Sequence, residues 1–193
     1  MVMTLTHILP SLRASIPDPL GRDRWPEFTT ASPSDVTVAG VSLTRLAEWC
    51  GTPCVHTAAA VIPGTNGRPS PTDTASVVVT QICEISEAAD QSLDIWIDAR
   101  LIDAETCLNE LRMIGRISTA NEVRARLHTA GEHTHPAPVE RIVSDVRVGD
   151  LVAIPCSGQI HLKDVDPRRH HLVDCDRDLT NEKEPWSLAL CRR

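Results

Sequence analysis

Ala75-Ser76-Val77-Val78-Val79-Thr80-Gln81-Ile82-Cys83-Glu84-Ile85 is the stretch on which the fold turns. Side chains alternate along a strand, so three successive valines cannot all lie on one side. The run therefore predicts a strand buried on both faces and central in a sheet. Beyond a polar turn at Ser86 to Gln91, Leu93 to Arg100 alternates strictly. Leu93, Ile95, Ile97 and Ala99 take one face and Asp94, Trp96, Asp98 and Arg100 the other. The two runs predict an antiparallel hairpin. Trp96 on the polar face is its least ordinary feature, since an exposed aromatic points to a packed helix or a partner surface. Asp94 and Asp98 share that face with Trp96. They read either as a carboxylate pair for acid-base work or cation holding, or as a solvated face countered by Arg100.

Upstream, Val36 to Val41 reads as a strand, and Ser42 can cap a helix from Leu43 to Cys50 that ends at Gly51. The densest chemistry follows in Cys50-Gly51-Thr52-Pro53-Cys54-Val55-His56. Two conformations fit the residues after Gly51. Thr52 as cap with Pro53 at the first position starts a second helix, whereas Val55, Val61 and Ile62 fit a strand. A helix places Cys50 and Cys54 on one face, and a strand places Cys54 with His56. Zinc is the metal such a set would suit, with His133 or His135 as a fourth ligand, although the paired C-x2-C knuckle of zinc sites is missing. The plainer alternative is two small buried thiols and a hydrogen-bonded histidine. A cysteine nucleophile, Cys54 or Cys156 with His56 or His161 as base, is formally available but lacks a surrounding signature.

Leu46, Ala47 and Gly51 occupy the places where a helix-turn-helix wants an apolar residue, a small residue and the turn glycine. The segment 42–62 thus resembles that DNA-binding family over about a tenth of the chain. It departs at Thr57, where a branched apolar residue is expected, and offers only His56 and Thr57 as polar contacts. The loop Gly64 to Pro71 carries Arg68 and could cradle a phosphate or carboxylate, but no G-K-[ST] follows.

Downstream, Asp103 is expected to cap a helix to Ile114, and Thr119-Ala120-Asn121-Glu122 reads as a capping box opening a helix to Thr129. After a His/Pro linker at 132–139, Arg141 to Val146, Leu151 to Pro155 and Gln159 to Leu162 read as short strands. Five prolines mark residues 1–35 as an extended arm with at most one helical turn near Leu12. Residues 164–193 form a charged tail. There Asp174-Cys175-Asp176-Arg177-Asp178 imitates a calcium loop without its glycine or final Glu, and His170-His171 is a weak metal pair.

Composition sets the remaining bounds. With 193 residues, 41% hydrophobic and 23% charged, the chain has the make-up of one globular domain. The formal charge of −7 opposes nucleic-acid backbones and anionic membranes. Seven cysteines, an odd number, and an N-terminus without a charged leader region predict a reduced, cytoplasmic setting, and no apolar run approaches a membrane span. All but Lys163 and Lys183 of the 19 basic residues are Arg. With Ile16-Pro17-Asp18-Pro19 and Val61-Ile62-Pro63-Gly64, this texture resembles uncharacterised small proteins of high-GC actinobacteria and their phages. That resemblance assigns no functional residue.

The expectation is an α+β domain over 36–163: an antiparallel, partly curled sheet or small barrel with about three short helices and the N-terminal arm. The leading functional reading is a non-enzymatic accessory module of phage or mobile-element type. It would bind a protein partner, a second copy or a small ligand through Trp96, Asp94, Asp98, Arg100 and Arg68, without a cofactor. The alternatives are a zinc or cysteine enzyme at Cys50, Cys54 and His56, and a nucleic-acid regulator through 42–62 or an oligonucleotide-binding barrel.

Overall fold

A computed structural model describes residues 5–101, 104–130 and 137–168. The expected Asp103 cap, the His133 and His135 ligands, the His170-His171 pair and the calcium-like 174–178 run lie outside these residues. The strands are β1 (Thr30–Ala31), β2 (Val36–Val38), β3 (Val41–Ser42), β4 (Cys54–Val61), β5 (Pro69–Glu87), β6 (Leu93–Ile97), β7 (Arg112–Ile114), β8 (Glu122–His128), β9 (Ala137–Val143) and β10 (Leu151–Ser157). Among the described residues the α-helices are α1 (Leu5–Ile8), α2 (Leu43–Cys50) and α3 (Leu162–Val165), of which α2, with eight residues, is the longest, and a 3-10 helix spans Pro10–Ala14. No helix among the described residues is long and apolar enough to cross a membrane.

Strand β5 organises the molecule. Its first part pairs antiparallel with β4 on one edge and β10 on the other, and its last part pairs with β6. The sheet continues through β8, parallel to β6, to β9, while β7 flanks β10 at the far side. The three valines divide as expected. Val78 faces one core with Ile82, Ile95, Ile97, Leu127 and Ile154, enclosed by the curl of the sheet. Val77 and Val79 face a second, where Trp25, Val36, Val38, Leu43 and Ala47 cover the outside of β5 and β10. The result is a strand-rich, nearly closed curled sheet with one covered outer face.

The near-closure is completed by charge. The turn Leu108–Glu110 packs against β9, which brings the ends of the sheet together. Into the seam runs Arg13, 5% exposed. Its guanidinium donates to the Ala120 carbonyl at 2.8 Å and pairs with Asp18 at 3.0 Å and Glu122 at 2.7 Å. Arg112 adds a bond to the Pro19 carbonyl. Farther along the N-terminal segment, Trp25 is 1% exposed and donates from Nε1 to Glu110.

Several expectations are corrected. The helix expected to end at Ile114 is a 3-10 turn, Leu108–Glu110, followed by β7. The helix expected after Thr119 is β8. Glu122, which should have closed a capping box, reaches Arg13 instead, and the apolar residues Ala125 and Leu127 alternate into the core. Local capping chemistry lost to a tertiary ion pair and a period of two. Gln159–Leu162 is not a strand but the entry to α3, and the loop after Pro63 ends sooner than Pro71, because β5 begins at Pro69.

Segment 52–62 takes the strand form. Ser42 caps α2 by accepting from the Arg45 N–H, Gly51 ends it at a φ of 73°, and β4 starts at Cys54. A positive φ is the conformation that glycine adopts without steric cost. Helix followed by strand is not the two-helix geometry of a helix-turn-helix.

Candidate functional site

The outer face of β6 and β8 carries an ordered polar cluster. Leu93, Ile95 and Ile97 point inward, so Asp94 and Trp96 point out, and parallel pairing sets Asp94 beside Arg126 and Trp96 beside His128. Arg126 grips Asp94 with two bonds, Nε to Oδ1 at 2.8 Å and Nη2 to Oδ2 at 3.2 Å. The His128 Nε2 lies 3.0 Å from Asp94 Oδ1, and an ionised carboxylate accepts there, so the nitrogen donates. The His128 and Trp96 rings stack with centroids 4.2 Å apart and planes 13° from parallel. The Arg126 and His128 bonds hold the Asp94 carboxyl below its usual range.

β5 supplies the third row of this face through an irregularity. Ile82 is opposite Ile97 and Ile85 opposite Ile95, yet only two residues separate the first pair from the second on β5 against one on β6. The register shift between Ile82 and Glu84 is a bulge. In a regular strand Glu84 would share the inward face of Ile82. The extra residue turns it outward, opposite Trp96. Glu84, Trp96 and His128 thus stand in one row across three strands.

The other residues named from the sequence do not join this row. Strand rise separates Asp94 from Asp98 by about 13 Å, too far to share a proton. Asp98 accepts from Thr80 Oγ1 at 2.5 Å and from the Gln81 N–H at 2.9 Å, fastening the end of β6 to β5. Arg126, not Arg100, counters Asp94; Arg100 bonds through its backbone N–H to the Val165 carbonyl. Arg68 is exposed in the β4–β5 connection, where the Gly64 N–H is already taken by Asp23 at 3.0 Å. The Arg68 N–H is likewise taken, by Thr65 Oγ1 at 3.2 Å.

Around the helix exit, Cys54 and His56 share the β4 face toward the second core, while Cys50 is exposed at the end of α2. Burial, with smaller contributions from the Cys50 thiol and Asp98, pushes the Cys54 thiol up to about 12. The His56 Nε2 is buried without a hydrogen-bond partner among the described residues. Among the described residues no group of three or more His, Cys, Asp and Glu side chains that could hold a metal ion is found, there or elsewhere. A groove of about 540 Å³ lies elsewhere, bordered by Trp25, Thr74, Cys107 and Cys156.

Sequence reasoning named Trp96 and Asp94 and did not name Arg126 and His128, which the sheet sets beside them. Their signal was present in Glu122-Val-Arg-Ala-Arg-Leu-His128, polar and apolar residues in strict alternation.

No protein-family model and no curated protein matches the chain. Among solved structures it is similar to the arginine decarboxylase of Paramecium bursaria Chlorella virus, in two structures of which one is bound to agmatine. In each the TM-score is 0.29 and the identity 15%, over 43% of this chain and 24% of that one. The chain spans about a quarter of that enzyme's length, and a likeness this slight carries no argument.

Proposed function

We propose that the chain is an accessory module that binds a protein partner through the outer face of β5, β6 and β8, with Trp96 at its centre. The observation that supports this reading is the Trp96–His128 stack on the outer face of the sheet, where Trp96 is half-buried among its strand neighbours. An isolated surface tryptophan samples several rotamers, whereas this ring is fixed by stacking on His128, itself held by Asp94. Pre-ordered aromatics lose little conformational freedom on association and are enriched among the residues that dominate binding energy. The grooves bordered by described residues lie away from Glu84, Trp96 and His128, so we read the face as a macromolecular surface and not as a small-molecule pocket.

The test compares wild type with Trp96→Ala in quantitative capture from an extract of the source organism, alongside thermal melts of both proteins. Proteins retained in stoichiometric amount by wild type and lost by the variant, with an unchanged melt, support the reading. If the variant unfolds, or if capture is the same, Trp96 is a packing residue and the reading fails.

A further inference from the structure

We infer that the side of Trp96 away from His128, which Glu84 borders, receives an arginine side chain of the protein partner, with its guanidinium lying over the indole and paired to Glu84; this rests on the partner-binding reading of the same face. The row Glu84–Trp96–His128 gives the geometry. Neighbouring strands lie about 4.8 Å apart, so side chains standing in one row on adjacent strands flank one another. His128 fills one side of the indole at 4.2 Å. The opposite side turns toward β5, where the bulge has brought Glu84 to the outer surface.

Charge selects the occupant. Asp94 is neutralised by Arg126, which also lies 3.7 Å from Asp90. Glu84 is exposed and makes no ion pair among the described residues. An indole face beside an uncompensated carboxylate favours a cation, and the formal charge of −7 draws basic partners from a distance. A guanidinium fits better than an ammonium, because its plane extends the Trp–His stack while its edge forks onto a carboxylate. One side chain on an open face is held weakly. The arginine must therefore belong to a polypeptide that makes further contacts alongside.

The experiment uses the full chain with 15N-labelled tryptophan, and Trp96→Phe identifies the Trp96 indole resonance. Three probes are titrated at low salt: the peptide acetyl-Gly-Ser-Arg-Gly-Arg-Ser-Gly-amide, the same peptide with citrulline for arginine, and the same with lysine. The arginine peptide is expected to move the Trp96 signal saturably. The citrulline peptide is expected to bind about fivefold more weakly, and Glu84→Gln to weaken the arginine peptide by a similar factor. In Glu84→Gln the gap between arginine and citrulline should narrow.

Equal binding of the citrulline peptide, or an unchanged affinity in Glu84→Gln, overturns the cation. The Trp96 response would then still show an occupied face, leaving the partner-binding reading standing. Equal binding of the lysine peptide overturns the guanidinium assignment. No response to any peptide overturns the inference altogether, and the capture comparison with Trp96→Ala then decides the broader reading separately.

Discussion

At Asp94, three interactions converge on one carboxylate, and the pH dependence of the fold should register them. Its pKa is depressed in the folded chain by the Arg126 and His128 bonds. The stability it contributes is present above the ordinary carboxylate value near 3.9 and is lost as pH falls through the lower folded value. Asp94→Asn is therefore expected to cost about 1 kcal/mol in urea denaturation at pH 7 and less at about pH 3, below the ordinary carboxylate value. An equal cost at both pH values would assign the loss to packing. The thiols give a second prediction. Burial pushes both Cys54 and Cys156 to about 12, so their nucleophilic thiolates are scarce at pH 8. Iodoacetamide at that pH should label the exposed Cys50 in the native protein and reach Cys54 and Cys156 only after denaturation, as read by mass spectrometry. Rapid native labelling of Cys54 would contradict its burial.

Elements owe their places to a few cross-chain ties, and here the sequence was only partly legible. The valine run of β5 and the alternation of β6 were readable because each strand carries its own burial pattern, and Ser42 and Gly51 bounded α2 by local chemistry. β8 was obscured because Thr119 to Glu122 matches a helix start, while the partner that claims Glu122 lies more than a hundred residues upstream. Parallel pairing of β6 with β8 leaves no local mark at all, so the neighbours of Trp96 and Asp94 could not be named. The proline-rich start hid two anchors, Arg13 and Trp25, since proline spacing reports backbone shape and not burial. Arg13→Met tests the seam. Removing the cation leaves Asp18 and Glu122 partly buried with less counter-charge, for an expected loss of about 3 kcal/mol by urea denaturation. Adding Asp18→Asn should recover part of that loss; a neutral effect of Arg13→Met would show that the sheet closes without the seam.

For the whole molecule, β5 and β10 belong to two cores at once, so those cores should not melt independently. Leu43→Ala in the outer core and Ile95→Ala in the enclosed one are each expected to cost about 2–4 kcal/mol. Each should shift a single transition, coincident by tryptophan fluorescence and far-ultraviolet circular dichroism. Separate transitions in either variant would mean that the layers fold as independent units. The order of the strands also has a consequence for the chain as it is made. On the ribosome, β4 and β5 can form their hairpin as soon as they emerge, but β10, which covers the other edge of β5, is encoded some seventy residues later. At roughly ten residues per second, Val77, Val78 and Val79 wait several seconds beside an unpaired backbone edge. Nascent chains are therefore most vulnerable to mispairing and chaperone capture between the synthesis of Glu87 and that of Ser157, a window that refolding of the complete chain does not reproduce.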